Sequence, residues 1–124
     1  MRVGIDLVEI KRFSKDIYSQ SFLNRVFTKG EIEHIKSVSA FSFQLERLAG
    51  KFAAKEAVLK MLGVGIGNGV TLLEIEILPD HWGKPTLAVS GNAQKMMKML
   101  GLNNVDVSIS HTSTHATAIC VASE

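Results

Sequence analysis

Alternating hydrophobic and polar residues mark the start of the chain. The stretch from Val3 to Ile10 is rich in valine and isoleucine, and this pattern predicts a β-strand. Successive side chains of a strand point to opposite faces, so Val3, Ile5 and Leu7 share one face while Asp6 lies on the other. Aspartate is depleted in strands, which means that Asp6 must be solvated or paired.

The strongest helical pattern runs from Leu45 to Leu62, and Gly63 is placed to end it. At about 100° per residue, Glu56 lies near the middle of an apolar arc of this helix. That arc consists of Leu45, Leu48, Ala49, Phe52 and Leu59. A buried carboxylate needs a cation, a metal ion or a proton. Lys60, one turn further along the same arc, is one candidate for the cation.

Caps and turns divide the rest of the chain into short elements. Thr28 and Glu31 form a capping box that predicts a helix to about Lys36. Two hairpins and one more helix are predicted further on: strands at 72–78 and 86–89, a helix from Ser90 to Leu100, and strands at 105–109 and 116–121. We therefore expect an α+β fold and a single domain over residues 1–124.

Composition narrows the class of protein. A chain of 124 residues with 46% hydrophobic content has material for one core, but its surface is large for its volume, so an oligomer with shared sites is plausible. The formal charge of +2 is too weak to indicate nucleic-acid binding. The single cysteine, Cys120, excludes an internal disulfide, and no stretch is long enough to span a membrane. We expect a soluble cytoplasmic protein.

Two groups of residues are candidates for chemistry. Asp6 and Glu56 are oxygen ligands of the kind that Mg²⁺ prefers, together with phosphate oxygens and water. His111 follows Ser110 and precedes Thr112 at a hairpin tip, where these side chains either hold a phosphate or form an ordinary polar turn. The glycine-rich loop 63–69 follows a helix and not a strand, which disfavours a dinucleotide-binding fingerprint.

Four segments together resemble the signatures of the 4′-phosphopantetheinyl transferases, specifically the short holo-acyl-carrier-protein synthase type. The segments are residues 4–12, 27–31, 48–57 followed by Lys60, and 107–112. Their order and spacing match the family over nearly the whole chain. The resemblance implies an antiparallel sheet packed on a long central helix. It also implies transfer of 4′-phosphopantetheine from coenzyme A to a serine of apo-acyl carrier protein, in fatty acid biosynthesis, with release of adenosine 3′,5′-bisphosphate.

The resemblance also implies roles for individual residues. Asp6 and Glu56 would hold Mg²⁺ with the coenzyme A pyrophosphate, and Lys60 would contact the phosphate that is transferred. The remaining coenzyme A contacts would come from Lys51, Ser110, His111 and Thr112 at the 3′-phosphate end, and from Gly63 and Gly65 along the nucleotide. Arg12 and Arg25 would bind the acidic carrier protein. The family further implies a homotrimer with active sites between subunits. The proton acceptor for the serine is either Glu56 or a metal-bound water.

The chain departs from the family pattern at three points. Lys51 stands where the family usually has arginine, and Val64 where many members have threonine. A basic residue expected before the helix motif is missing at Ser42 and Phe43, and Arg47 is a possible substitute. A binding module without turnover is the alternative function, but retention of both Asp6 and Glu56 argues against it.

Overall fold

The computed structural model describes residues 1–64 and 69–124 of the chain. Within these ranges four helices and five strands follow one another, with short 3₁₀ turns at Ile10–Phe13, Asp16–Tyr18 and Leu72–Glu74. In chain order the elements are β1 (Arg2–Glu9), α1 (Gln20–Val26), α2 (Lys29–Lys36), α3 (Phe41–Leu62), β2 (Ile75–Pro79), β3 (Pro85–Val89), α4 (Gly91–Met99), β4 (Asn104–His111) and β5 (His115–Ser123).

The strands of the described ranges form two antiparallel sheets. One sheet has the order β1-β5-β4, and the hairpin of β2 and β3 forms the other. Helix α3 packs against β1 and β5 of the larger sheet. In that sheet Asp6 is opposite Ala118, and His111 is opposite Ala116. The predicted α+β class, with an antiparallel sheet on a long helix, is confirmed, as are both hairpins.

Several predicted boundaries are wrong for identifiable reasons. Helix α3 begins at Phe41 and not at Leu45, so the predicted helix is too short at its start. Residues 72–74 form a 3₁₀ turn before β2, because the Glu74 carboxylate accepts a hydrogen bond from the Thr71 backbone N–H at 3.0 Å and closes a turn there. Ser90 precedes α4 as predicted, but its side chain makes no capping hydrogen bond. The Glu74 carboxylate accepts from the Ala93 N–H instead, at 3.0 Å.

A fully buried ion pair lies where most of the elements meet. The Lys55 ammonium on α3 is 2.6 Å from the Glu31 carboxylate on α2, and both side chains are inaccessible to solvent. Lys55 also donates to the carbonyl oxygens of Val26 at 2.7 Å and Leu72 at 2.9 Å. The second Glu31 oxygen accepts from the Ile77 N–H of β2 at 2.8 Å. The predicted Thr28–Glu31 capping box is present as well, so Glu31 both caps α2 and neutralises Lys55.

The backbones of β1 and α3 approach each other closely at Gly4. A Cβ atom added there would overlap the carbonyl oxygen of Ala57. Glycine is required at this position because only a residue without a side chain permits such an approach. The contact brings the strand that carries Asp6 against the helix that carries Glu56.

The burial pattern of β1 differs from that of an ordinary core strand. Val3, Ile5 and Leu7 do share one face, as the alternation predicts, but all three side chains are exposed. On the opposite face, which packs on α3, Gly4 and Val8 are buried, and Arg2 and Asp6 are partly buried. Within the described ranges, none of the helices combines the length and apolar character that a membrane crossing requires.

The first prediction concerns the buried ion pair. Replacing Glu31 with alanine should lower the free energy of unfolding by about 3–5 kcal/mol, because it leaves the Lys55 ammonium buried without its counter-charge. Urea denaturation measures the change. The matched control is Glu33→Ala, since Glu33 lies two residues further along α2 and is exposed. Equal losses for the two variants would contradict the role of the pair.

Candidate active site

The three predicted catalytic side chains meet where β1 packs on α3. Glu56 and Lys60 lie one helical turn apart, on the side of α3 that faces Asp6. The Lys60 ammonium donates to a carboxylate oxygen of Asp6 and to the carbonyl oxygen of Ile5, each at 3.0 Å. The other carboxylate oxygen of Asp6 is buried and has no hydrogen-bond partner among the residues described. Asp6 therefore has one satisfied and one unsatisfied oxygen.

Glu56 is half-buried, and its pKa is raised above the usual value. Burial of the carboxylate is the main cause, and the negative charge of Asp6 adds to it. The positive charges of Lys60 and Arg12 act in the opposite direction. The sequence predicted that Glu56 points into the core from the middle of an apolar arc. In the structure its side chain is only partly buried and lies at the edge of the core. The hydrogen bond of Lys60 goes to Asp6, so the simple Glu56–Lys60 pairing is not what the fold provides.

The acidic pair fits a hard divalent cation. Asp6 offers an unsatisfied buried oxygen, and Glu56 offers a carboxylate that burial and a like charge destabilise when ionised. A cation between them would relieve both conditions. No cluster of three or more His, Cys, Asp or Glu side chains with metal-site geometry occurs in residues 1–64 or 69–124. Two protein carboxylates are sufficient for Mg²⁺ when a substrate supplies phosphate oxygens.

Arg12 lies beside this group, whereas Arg25 belongs to the next helix. The Arg12 guanidinium is 4.9 Å from the centre of the Phe13 ring and 5.0 Å from that of Phe52, and its charge acts on Glu56. Arg25 is exposed on α1, where its side chain donates to the Ser21 carbonyl oxygen at 3.3 Å. Arg12 thus combines exposure with proximity to the acidic pair.

The second group of predicted residues lies around a cavity of about 400 Å³, which Lys51 and His111 border. We call it the α3–β2 cavity. The residues that give it its chemical character are His34, Glu46, Arg47, Lys51 and His111, and Gly83 of the turn between β2 and β3 also lines it. Two predicted members of this group, Ser110 and Thr112, are exposed near the tip of the β4–β5 hairpin and do not border the cavity.

Lys51 is more buried than its predicted phosphate-binding role suggested. Its ammonium donates to the Ile77 carbonyl oxygen at 2.8 Å. Burial, together with the positive charge of Arg47, lowers the pKa of Lys51 to about 8, against the opposing charge of Glu31. On the other side of the cavity, His111 Nε2 is 3.9 Å from a carboxylate oxygen of Glu46.

The fold separates the two groups. Along an α-helix Lys51 lies about 140° from Glu56 and about 180° from Lys60, so these side chains leave α3 on different sides. Asp6 and His111 also belong to the two outer strands of the β1-β5-β4 sheet. A single chain therefore brings together Asp6, Glu56 and Lys60, and separately Lys51 and His111, but it does not place both groups on one face of the helix.

The two glycines predicted to border a nucleotide have different outcomes. Gly63 ends α3 in the left-handed conformation, with φ of 77°, as expected of a helix-ending glycine. Gly65 lies outside the described residues. Sequence reasoning did not find the buried Glu31–Lys55 pair, because the two residues are distant in sequence and Glu31 had already been explained as a cap. The spacing of Arg47 and Lys51, four residues apart in a helix, was the available signal for the cavity.

Comparison with known proteins gives one consistent family. The family model described as the 4′-phosphopantetheinyl transferase superfamily matches residues 2–120. A holo-[acyl-carrier-protein] synthase of Ruminiclostridium cellulolyticum is 41% identical over 125 residues, which cover 99% of this chain and 92% of that protein.

Solved structures agree with this match. The Helicobacter pylori holo-[acyl-carrier-protein] synthase in complex with coenzyme A aligns with a TM-score of 0.83 and 32% identity, covering 98% of this chain and 99% of that one. The synthase of Bacillus anthracis, in complex with CoA (3′,5′-ADP), aligns with a TM-score of 0.80 and 36% identity, covering 98% and 94%. The family resemblance that the motifs indicated is confirmed.

The second prediction follows from the raised pKa of Glu56. In a chelator-treated sample at pH 7, Glu56→Gln should unfold at a higher temperature than the wild type, because the variant no longer ionises a half-buried carboxylate next to Asp6. A raised pKa means that the folded state binds the proton more tightly, so this difference should vanish as the pH falls below the usual value of 4.5. Thermal denaturation at several pH values measures it.

The control for this experiment is Glu33→Gln on the exposed side of α2, which should show neither effect. A loss of stability in Glu56→Gln at pH 7 would mean that Lys60 and Arg12 outweigh the cost of burial, contrary to the direction of the pKa.

Proposed function

The chain belongs to the 4′-phosphopantetheinyl transferase superfamily, and we propose that it acts as a holo-[acyl-carrier-protein] synthase. It transfers the 4′-phosphopantetheine group from coenzyme A to a serine of apo-acyl carrier protein. The serine oxygen forms the new bond to phosphorus, and the bond from that phosphorus to the leaving adenosine 3′,5′-bisphosphate breaks. The observation that carries this proposal is the convergence of Asp6, Glu56 and Lys60 at the junction of β1 and α3.

The residues of this junction have different roles in the transfer of the phosphoryl group. Asp6 and Glu56 would hold Mg²⁺, which, when bound, neutralises charge on the pyrophosphate. Lys60 is already held over Asp6 and supplies a further positive charge for the phosphate that is transferred. The serine must also lose its proton, and the Glu56 carboxylate is the chain's own candidate for accepting it.

The 3′-phosphate end of coenzyme A would be bound by the second group of residues, Lys51, Ser110, His111 and Thr112, with Gly63 and Gly65 along the nucleotide. Since Lys51 and Glu56 leave α3 on different sides, one molecule of coenzyme A contacts both groups most simply when they come from two chains. This supports active sites between subunits, and we propose a homotrimer.

An exposed apolar surface on the larger sheet supports the same assembly. Val3 and Ile5 of β1 are each 60% exposed, Leu7 is 66% exposed, and Ile119 of β5, opposite Ile5 in the register, is 38% exposed. Gly4 contacts α3, so these side chains lie on the other face of the sheet. Contiguous apolar side chains of this kind are typical of a protein interface, and a second copy of the chain would bury them.

The carrier protein would bind beside the acidic pair. Arg12 and Arg25 are both exposed, and Arg12 is near Glu56. Positive side chains at the rim of an interface attract an acidic partner and speed its association. We further propose that residues 1–124 act as one domain, that the protein works in the cytoplasm, and that its product serves fatty acid biosynthesis.

The third prediction tests the activity directly. The protein incubated with coenzyme A, Mg²⁺ and an apo-acyl carrier protein should increase the mass of the carrier by one phosphopantetheine group, as measured by mass spectrometry. Chelation of the metal and the Glu56→Gln variant should each abolish the increase, since both remove the charge arrangement around the pyrophosphate. Coenzyme A binding without any mass increase would leave the non-catalytic binding module as the correct function.

The fourth prediction tests whether sites are shared between chains. Glu56→Gln and the double variant His111→Ala/Thr112→Ala should each be inactive or strongly impaired alone. When the two are unfolded together and refolded as a mixture, about a quarter of the intersubunit sites should receive both intact groups by random assembly, and activity should return. If each site lies within one chain, no site in the mixture is intact and no activity returns. The molar mass of the wild-type protein, measured by light scattering after size-exclusion chromatography, should be that of a trimer.

The fifth prediction concerns docking of the carrier protein. Arg12→Glu should raise the KM for the carrier protein more than the KM for coenzyme A, because it reverses a charge that faces the acidic partner, and added salt should reduce the difference between variant and wild type. Lys95→Glu is the control, since Lys95 is an exposed residue of α4. Equal changes in both KM values would refute a docking role for Arg12.

A further inference from the structure

The α3–β2 cavity contains a positive side chain that the family pattern does not account for. Arg47 and Lys51 are one helical turn apart on α3 and both border the cavity. The sequence lacks the basic residue expected at Ser42 and Phe43, and it has lysine in place of the usual arginine at position 51. Next to this cavity the chain therefore lacks one expected basic residue and has lysine in place of another, but it has an additional arginine, Arg47.

The Arg47 guanidinium is held in place from one side. Its Nη1 donates to the His34 carbonyl oxygen at 2.6 Å and to the Ser37 hydroxyl at 2.8 Å, both at the end of α2. Within the part of the chain that the structure describes, the hydrogen bonds of Arg47 are confined to this nitrogen. Because a guanidinium has five N–H groups, Nε and Nη2 keep their donors for a ligand. Anchoring at one nitrogen also reduces the entropy lost when the others bind.

Lys51 is less free to bind a ligand than Arg47. Its ammonium is buried and donates one of its three N–H groups to the Ile77 carbonyl oxygen, which holds it as a point charge at the wall of the cavity. An arginine presents a planar fork that matches two phosphate oxygens, and a lysine does not. Of the two cations on this face of α3, Arg47 therefore has the geometry for direct recognition.

The electrostatics of the cavity favour an anion. Burial and the nearby charges of Lys51 and Arg47 lower the pKa of His34 to about 4. Arg47 also lowers the pKa of Lys51. The carboxylate of Glu46, 3.9 Å from His111 Nε2, also borders the cavity, where its single negative charge is outweighed by the two positive charges of Arg47 and Lys51. A phosphate monoester would relieve their mutual repulsion.

We propose that Arg47 determines specificity for the 3′-phosphate of coenzyme A, with Lys51 as a supporting charge. This inference rests on the proposed function, because it assigns the cavity to that substrate. Arg47 binds the phosphate through Nε and Nη2, while Nη1 stays on α2. In this way the residue replaces both the missing basic side chain at positions 42–43 and the missing arginine fork at position 51.

The experiment compares coenzyme A with dephospho-coenzyme A, which lacks only the 3′-phosphate. Isothermal titration calorimetry gives the Kd of each for the wild type, Arg47→Ala and Arg47→Lys. We expect Arg47→Ala to weaken coenzyme A binding by about 10- to 100-fold, the effect of losing hydrogen bonds to a charged group. Binding of dephospho-coenzyme A should stay unchanged, and Arg47→Lys should fall between alanine and wild type.

The matched control is Lys36→Ala, which removes a positive charge from the exposed last turn of α2, outside the cavity. In the transfer assay Arg47→Ala should raise the KM for coenzyme A and leave kcat at saturation unchanged. Equal weakening of both ligands by Arg47→Ala would show that the residue only secures α2, and the proposal would be wrong. If Arg47→Ala leaves the Kd of coenzyme A unchanged, the proposal is wrong as well.

The outcomes also separate this proposal from the proposed function. If the wild type binds coenzyme A with an Arg47-dependent preference for the 3′-phosphate but transfers nothing to a carrier protein, the transferase function fails and the specificity role of Arg47 stands. If the wild type transfers normally and Arg47→Ala retains the full preference for the 3′-phosphate, the function stands and the role of Arg47 fails.

Discussion

The buried ion pair between Lys55 and Glu31 fixes the position of the central helix, and the rest of the molecule depends on that position. The Lys55 ammonium has three donors, and all three are used, by Glu31 and by the carbonyl oxygens of Val26 and Leu72. Through the second oxygen of Glu31, the arrangement extends to the N–H of Ile77 in β2. A buried charge is tolerated only with such complete satisfaction. The pair therefore admits one rotation of α3 and one placement of the segments around it.

That single rotation decides what α3 presents to each side. With Lys55 directed into the protein, the next residue, Glu56, lies at the edge of the core beside Asp6, and Lys60 follows it one turn later. Lys51 and Arg47 precede Lys55 by one and two turns and border the cavity next to β2. The helix thus carries two polar groups of different chemistry, an acidic pair with a lysine and a mainly cationic cavity, and it keeps them apart.

Separation of the two groups has a consequence for a small protein. A domain of this size has little interior to enclose a long substrate, so a substrate that needs both groups is bound more easily between chains than within one. The exposed apolar face of β1 and β5 offers a surface for a second chain. Burial and the charge of Asp6 destabilise the ionised Glu56 carboxylate. Functional sites commonly lower the stability of the folded state in this way, and packing elsewhere in the core compensates for the loss.

The sequence alone determined the elements, the fold class and the identity of the acidic residues. Alternation predicted β1, the capping box of Thr28 and Glu31 predicted α2, and the run of helix-forming residues before Gly63 predicted most of α3, because these signals are local. Motif spacing also indicated the family. Only the tertiary structure decided which groups meet. Lys60 pairs with Asp6 and not with Glu56, Lys55 is neutralised by a residue 24 positions away, and Arg47 shares a cavity with Lys51 and His111. Apart from Arg47 and Lys51, which are one helical turn from each other, these partners lie far apart in the chain. The angle at which a helix packs on a sheet brings them together, and that angle leaves no local trace in the sequence.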